Sequence, residues 1–386
     1  MLNMNRRKAV KALTGIAVAG LALGALGISG GPANADPKQW TALTGVGSDT
    51  TQDVLNAFAG FSSNNSYLPL QSSLASGKRQ LTSWDAVGSP CIVPKPTGKS
   101  MVRPNGSTNG RRALSRAIDG GNWPASGTDC GGPKTISGLV DFARSSAGPS
   151  GTGTELTYIP TGRDALSFAY YANGVAPVTT LTSAQLNLLF TAGPQVIGGV
   201  EIVPCGIQTG SGTYASWNTA LGITAAQETT ATTTCNAAGS GARLQENDGN
   251  GLKAKGDALV GKQVIVGFSA ANFISQSNGV VTSQLPSPAG TVDLGAIDAL
   301  GKPYTGTAPS LVPAAGFYGN TTYGRTVYNV LPTSKVGGLA SANQDIKTMF
   351  VGGASAVCSA TSTLNAFGFL SVANCGAITL QGPLVA

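Results

Sequence analysis

Gly210-Ser211-Gly212-Thr213 is a run of small and hydroxyl-bearing residues that opens a segment with helical periodicity, Thr213 to Leu221. Gly222 is well placed to end that helix. A helix N-terminus presents unpaired amide hydrogens and the positive end of the helix dipole, and glycine lets the backbone approach a bound group closely. The run therefore predicts a loop that binds a small anion, with an ordinary helix cap as the alternative.

Three further segments rich in Gly, Ser and Thr occur earlier in the chain. Gly45 to Thr51 precedes a predicted helix over Gln52 to Phe61, and Gly106 to Gly110 precedes another over Arg111 to Asp119. Asp141 to Ser146 follows a predicted strand. Any one such segment is more often a plain turn, but several that open helices in one chain favour a shared anion site.

The rest of the chain alternates short apolar strands with helical segments, which predicts an α/β fold. Thr182 and Gln185 form the capping box of one helix. The other predicted elements are helices over Ser183 to Thr191 and Ala342 to Val351, and strands over Leu139 to Ala143, Leu166 to Tyr171, Val264 to Phe268 and Thr326 to Leu331. Residues 225–241 and 283–313, rich in Thr, Ala, Gly and Pro, are predicted surface loops.

Residues 1–35 have the pattern of a signal peptide. A basic head ends at Lys11, an apolar stretch runs from Ala12 to Gly30, and Ala33-Asn34-Ala35 supplies a cleavage site. An N-terminal membrane anchor is the alternative, and Arg6-Arg7 also permits twin-arginine export. No cysteine follows the cleavage site, so we expect an exported protein without a lipid anchor, extracellular, wall-associated or periplasmic after cleavage near Ala35. About 350 mature residues suggest two lobes.

Six cysteines remain for an oxidising compartment. Their order favours three sequential disulfides, although fifteen connectivities are open. The favoured pairs are Cys91 with Cys130, Cys205 with Cys235, and Cys358 with Cys375. No spacing typical of zinc sites is present, so we predict neither a metal nor a cofactor.

Composition removes several classes of function. The chain contains no histidine, which excludes Ser-His-Asp, Cys-His and H-E-x-x-H chemistry. Gly98-Lys99-Ser100 lacks the leading glycine of a nucleotide-binding P-loop, because position 93 is Val. Without residues 1–35 the net charge is only about +3 and no basic stripe is present, so we expect no nucleic-acid partner.

The loops resemble, in order, those of the phosphate-binding proteins of ABC-type phosphate uptake systems. The resemblance rests on GVGSDTT at 45–51, NGSTNG at 105–110, DFARSS at 141–146, LTSAQLNLLF at 181–190, GSGT at 210–213 and VGFSAA at 266–271. It implies a two-lobed type II binding-protein fold with hinge strands and a central cleft. The expected lobes are residues 36–172 with 278–386, and residues 173–277.

The resemblance also implies a site in which amides and hydroxyls enclose phosphate or a similar oxyanion. The predicted ligand-binding residues are Ser48, Asp49, Thr50, Gly106, Ser107, Arg144, Ser145, Ser146, Gly210, Ser211, Gly212 and Thr213.

The chain departs from the family at three positions. The family's arginine and its two aspartates fall on Ile207, Thr209 and Ser146. We expect Arg144 to supply the missing cation and Asp49 the missing proton acceptor. A surface ion pair for Arg144 and a helix cap for Asp49 are the alternatives.

The leading functional expectation is a monomeric, non-enzymatic solute-binding protein that delivers phosphate to an ABC permease. The alternative is a freely secreted or wall-associated protein that uses the same fold to bind another ligand or partner. A hydrolase of phosphate or sugar esters ranks last, because no nucleophile and base can be assigned.

Overall fold

The computed structural model describes residues 36–37, 40, 43–61, 67, 69–70, 81–96, 98–337 and 344–386. The predicted signal peptide and its cleavage site at Ala35 lie outside these residues. The described residues belong to one compact unit. None of the helices in this part of the chain has the length and apolar character needed to cross a bilayer.

Strands and helices alternate along the chain, which confirms the α/β prediction. The strands are β1 Leu43–Gly47, β2 Leu81–Ser83, β3 Cys91–Ile92, β4 Met101–Val102, β5 Asn122–Trp123, β6 Lys134–Thr135, β7 Phe142–Ser145, β8 Leu156–Ala172, β9 Thr180–Leu181, β10 Gln195–Ile197, β11 Val200–Pro204, β12 Gln263–Ser269, β13 Asp293–Leu294, β14 Ala296–Ile297, β15 Tyr304–Thr305, β16 Val312–Pro313, β17 Gly324–Pro332 and β18 Gln381–Gly382. The helices are α1 Gln52–Phe58, α2 Gly106–Asp119, α3 Ser183–Ala192, α4 Gly212–Leu221, α5 Ala225–Ala231, α6 Thr233–Ala237, α7 Gly249–Asp257, α8 Ala270–Ser277, α9 Ala315–Gly319, α10 Thr333–Val336, α11 Gln344–Phe350, α12 Ala356–Ser359 and α13 Thr361–Ala366.

The main sheet has the strand order β10-β11-β12-β8-β17-β7-β1-β2. Its central strand β8 is 17 residues long. β8 pairs antiparallel with β17 over Leu156 to Ala165 and with β12 over Leu166 to Ala172. Parallel pairs lie farther from β8, between β1 and both of its neighbours and between β11 and β12, whereas the edge strand β10 is antiparallel to β11. One continuous strand therefore serves both halves of the sheet.

We call β2, β1, β7, β17 and the first part of β8 the first half of the sheet, and β10, β11, β12 and the second part of β8 the second half. Side chains of the first half alternate between two apolar clusters. Phe142 and Ile159 pack in one cluster, whereas their chain neighbours Ala143 and Tyr158 pack in the other. Successive strand residues point to opposite faces, so this half of the sheet is covered on both sides. The second half packs in a third cluster that includes Phe168, Val266 and Trp217.

Most predicted elements form, although the strand predicted over Leu166 to Tyr171 is only part of the longer β8. The predicted loop over residues 283–313 contains the short strands β13 to β16. Thr182 accepts a hydrogen bond from the amide of Gln185 in a complete capping box, and Gly222 ends α4 at a φ of 65°. The prediction of a loop over residues 225–241 is wrong in its first part, where α5 and α6 form. A second capping box, Thr224 with Gln227, starts α5. The strand predicted over Leu139 to Ala143 forms as β7, which begins three residues later, at Phe142, and continues to Ser145.

The three sequential disulfides form as predicted. They join Cys91 to Cys130, Cys205 to Cys235, and Cys358 to Cys375. Cys205 and Cys235 are both buried, and their bond ties α6 to the segment that leads into the Gly210 run.

Candidate functional site

The first three Gly/Ser/Thr segments meet at one edge of the main sheet. β1 and β7 run parallel with Gly47 beside Arg144, so the loops that follow these strands are neighbours. Gly47 also forms an isolated bridge with Asn105, the residue before α2. The fold thus places residues 48–51, 105–107 and 146 side by side.

The Gly210 run lies against the same edge. The amide of Thr108 donates to the carbonyl of Gly210 at 3.0 Å. Gly106 has a φ of 88°, and a Cβ there would lie 2.3 Å from the Gly210 carbonyl oxygen, so glycine is required at this position. A Cβ on Gly212 would lie 2.3 Å from Ser146 Oγ and 2.4 Å from Ser107 Oγ. All four predicted segments therefore contact one another.

Ser107 and Ser146 form one polar pair at this junction. Ser107 Oγ accepts a hydrogen bond from the Ser146 amide at 3.0 Å and lies 3.2 Å from Ser146 Oγ. Ser216 on α4 donates to the Ser146 carbonyl at 3.3 Å. Because Ser107 lies in the first turn of α2 and Gly212 begins α4, the N-termini of both helices point into this region.

Thr50 and Thr213 form a second polar pair, which we call the threonine pair. Their hydroxyl oxygens lie 3.3 Å apart, and both side chains are buried. Arg325 Nη2 donates to Thr50 Oγ1 at 3.2 Å and to Thr213 Oγ1 at 2.9 Å. Both hydroxyls donate to Glu246 Oε1, Thr213 at 2.9 Å and Thr50 at a shorter distance.

Arg325 belongs to β17 and is held by Asp164 of β8. Nε and Nη2 of Arg325 donate to Asp164 Oδ2, which also accepts from Ser269 Oγ at 2.9 Å. Asp164 Oδ1 accepts from the amide of Ala271 at 3.0 Å. Since every acceptor on Asp164 is engaged, the buried charge pair is well compensated. Arg325 Nη1, in contrast, is buried and has no hydrogen-bond partner among the described residues.

Glu246 sits in a tightly held segment before α7. The amide and carbonyl of Leu244 bond to Gly206 and Gln208, beside the Gly210 run. Asn247 has a φ of 59°, a left-handed conformation, and its carbonyl oxygen accepts from Gln276. Glu246 is fully buried, and its Oε2 has no hydrogen-bond partner within the described part of the chain.

Asp49 is hydrogen-bonded to Asn247, the residue after Glu246. Its Oδ1 accepts from Asn247 Nδ2 at 2.8 Å, while its Oδ2 is buried without a partner among the residues described. Burial and, next, the negative charge of Glu246 raise the pKa of Asp49 well above its usual range. Asp49 thus lies in a buried site near a second carboxylate, and this favours the protonated form of its side chain.

Arg144 is fully buried under the first loop. Its guanidinium donates to the carbonyls of Ser48 at 3.0 Å and Gly47 at 3.2 Å, and to Ser83 Oγ at 2.9 Å. Burial lowers its pKa to about 10, partly offset by nearby carboxylates, of which Asp85 contributes most. These contacts brace the backbone of residues 47–48, so the surface ion pair considered for Arg144 does not form.

The other predicted ligand residues have local roles. Ser211 Oγ caps α4 by accepting from the amide of Tyr214 at 3.1 Å. Ser145 Oγ donates to the carbonyl of Ala147 at 2.6 Å. Ser48 Oγ is buried and has no partner in the described residues. At the positions of the family's charged residues, Ile207 is buried in the apolar core and Thr209 is exposed.

Sequence reasoning missed Arg325, Asp164 and Glu246. The first two are charged residues at buried positions of long strands, and a charge within a strand is a usable signal in a chain with only 11% charged residues. Glu246 carried no such signal, because its segment is polar throughout. Among the described residues no cluster suited to a metal ion occurs.

Comparison with known proteins gives structural matches alone. No protein-family model matches the chain, and no curated protein matches it. An ABC-type phosphate transport receptor from Vibrio cholerae is 14% identical, with a TM-score of 0.45 over 86% of this chain and 100% of that one. A phosphate-binding protein from Stenotrophomonas maltophilia is 14% identical, with a TM-score of 0.46 over 87% and 91%. PstS from Borrelia burgdorferi is also 14% identical, with a TM-score of 0.40 over 86% and 98%. Because these values are low, only this chain's own side chains bear on its function.

Proposed function

We propose that the chain is a solute-binding protein whose ligand is phosphate or a similar small oxyanion, held where the four Gly/Ser/Thr segments meet. The observation that carries this is the threonine pair, which joins residues 163 positions apart and lies against the buried guanidinium of Arg325. Hydroxyl donors, a desolvated cation and the N-termini of α2 and α4 are the groups that stabilise a dehydrated anion.

Arg325 takes the cationic role in this proposal, in place of Arg144. Arg144 donates to two carbonyls of the first loop and to Ser83 Oγ of β2, whereas Arg325 Nη1 has a donor to offer. A buried donor without a partner is costly, and an oxyanion would satisfy it. Asp49, Ser145 and Ser211 then act mainly by shaping the loops. Thr50, Ser107, Ser146 and Thr213 remain the candidates for direct contact, together with Ser48, whose buried hydroxyl also has no partner among the described residues.

The cellular part of the proposal follows from the sequence. We propose export with cleavage near Ala35, lobes at residues 36–172 with 278–386 and at residues 173–277, and delivery of the ligand to an ABC permease by a monomer that is not an enzyme. The pairing of β8 with both β17 and β12 supports a hinge formed by long strands. The alternative is a secreted or wall-associated protein that uses the site without a permease.

Isothermal titration of the mature chain, residues 36–386, with phosphate, sulfate and arsenate tests the proposal. We expect one binding site per chain and a smaller radius of gyration in X-ray scattering when the ligand is bound. Each oxyanion is tested at about 10 mM, because weak sites need excess ligand. If none of them gives binding heat or thermal stabilisation, the proposal is contradicted. Turnover of phosphate esters would instead indicate an enzyme.

A further inference from the structure

Both hydroxyl hydrogens of the threonine pair already make hydrogen bonds within the protein. A threonine hydroxyl has one hydrogen to donate and two lone pairs to accept with. Thr50 and Thr213 both donate to Glu246 Oε1, and both accept from Arg325 Nη2. An oxyanion that bound to the threonine pair would need the same two hydrogens.

We propose that the carboxylate of Glu246 is a built-in substitute for the oxyanion, so that a ligand must displace it to enter the site. This inference rests on the proposed function and concerns how the same site is regulated. A carboxylate is itself a small planar oxyanion that accepts hydrogen bonds from hydroxyls and from arginine, and it satisfies the threonine pair as a ligand would.

The position of Glu246 is set by its backbone, which explains how it reaches the threonine pair without a ligand. Leu244 is bonded on both sides to the segment before α4, and the side chain of Asn247 bonds to Asp49 and to the amide of Ser269. The fold therefore brings residue 246 to the junction, from a segment outside all four predicted loops.

In the part of the chain that the structure describes, Glu246 leaves some hydrogen-bonding atoms at the site without partners, so a ligand with more oxygens can compete with it. Glu246 Oε2 and Arg325 Nη1 are both buried without partners in the described residues. A carboxylate has two oxygens whereas phosphate has four, so phosphate can engage donors that Glu246 leaves unused. Two anions cannot share the threonine pair, because like charges a few ångströms apart in a buried site repel strongly.

Glu246→Gln is the test, because it keeps the shape of the side chain and removes its charge. Glu201→Gln is the matched control, since Glu201 is a partly exposed glutamate of β11 that is paired with Lys262. We expect the phosphate and sulfate dissociation constants of Glu246→Gln to fall by at least about tenfold relative to the unaltered chain, and those of the control to stay the same.

The outcomes separate the two proposals. If the unaltered chain binds phosphate and Glu246→Gln binds it equally or more weakly, the substitute role is wrong while the proposed function stands. A loss of phosphate with sulfate retained would make Glu246 an acceptor for the proton of the ligand, and would also overturn the inference. If neither protein binds any oxyanion, the proposed function is contradicted, and so is the inference that rests on it.

A second measurement on the unaltered chain covers the case in which Glu246→Gln does not fold. The chain has four glutamates, Glu155, Glu201, Glu228 and Glu246, so the carboxyl carbons of ¹³C-labelled glutamate give a simple spectrum. We expect added phosphate to shift the Glu246 resonance and leave that of Glu201 in place. Phosphate binding with an unmoved Glu246 resonance would overturn the proposal.

Discussion

Arg325 and Asp164 face each other across the neighbouring strands β17 and β8, with Nε and Nη2 donating to one carboxylate oxygen at 3.0 and 2.8 Å. The pair lies close to the point where β8 leaves β17 and begins to pair with β12. Nη2 also donates to both hydroxyls of the threonine pair. A single guanidinium thus links the central strands to the candidate site.

Arg325→Ala is expected to destabilise the protein by about 3–5 kcal/mol, because it leaves the carboxylate of Asp164 buried and unpaired. Urea unfolding measures this free energy. Lys253→Ala is the control, since its pair with Asp257 is exposed on α7 and is expected to contribute little to stability. Equal losses in the two variants would show that the Arg325 pair contributes no more than a surface pair.

Thr213→Val is expected to weaken phosphate binding by about tenfold or more, because it replaces a buried hydroxyl donor with a methyl group of similar shape. Titration calorimetry gives the dissociation constant. Thr219→Val on the same helix is the control, because Thr219 is exposed and its hydroxyl donates to the carbonyl of Ala215 on its own helix. An unchanged affinity in Thr213→Val would remove this hydroxyl from the site.

Gly212→Ala is expected to separate the loops, because the added Cβ would lie 2.3 and 2.4 Å from the hydroxyl oxygens of Ser146 and Ser107. We expect a loss of stability of about 1–3 kcal/mol and weaker phosphate binding. Gly316→Ala in α9 has open space around the new Cβ and is expected to be neutral or slightly stabilising. Thermal unfolding of both variants makes the comparison, and a neutral Gly212→Ala would contradict the close contact.

The raised pKa of Asp53 predicts that the free energy of unfolding depends on pH. Burial, with the charge of Asp85 second, raises its pKa to about 7 in the folded protein. Between about pH 4 and pH 7 the folded state then binds a proton that the unfolded state has released, so the free energy of unfolding falls as the pH rises and levels off above pH 7. The full effect would be about 4 kcal/mol, and we expect about half of it because the side chain is only half-buried.

Asp53→Asn is expected to remove this decline. Urea unfolding at pH 4.5, 6 and 8 (values chosen to span the shift from about 3.9) measures it. Asp129→Asn, at an exposed position, should keep the slope of the unaltered chain. A parallel slope in Asp53→Asn would assign the pH dependence to other groups, Asp49 first among them.

The sequence predicted those parts of the fold that depend on local chemistry. The α4 helix follows from a serine cap and a terminal glycine, and α3 follows from its capping box. Residues 225–237 were mistaken for a loop because their many threonines hide a helix that a capping box starts and the Cys205–Cys235 disulfide anchors. Propensity alone does not register such a tertiary anchor.

For the candidate site, the sequence predicted the loops but not the charges between them. Thr50 and the Gly210 run carry recognisable motifs. Arg325 is 275 positions from Thr50 and Glu246 is 196 positions from it, so their partnership exists only in the folded chain. Arg144 was a reasonable choice by proximity in sequence, yet its side chain turns back onto residues 47 and 48. Side-chain direction, rather than residue type, separates the two arginines.

The length of β8 has a consequence for how the molecule comes apart. One half of the strand contributes Tyr158 and Ile159 to the first two apolar clusters, and the other half contributes Phe168 to the third. If the first part of β8 separates from β17, or the second part from β12, the sheet on that side loses a paired strand. The remaining part of β8 then has one free end, and the other side of the sheet is weakened as well. Melting should accordingly proceed as one cooperative event detected alike by every probe, with no half-melted species accumulating on the way.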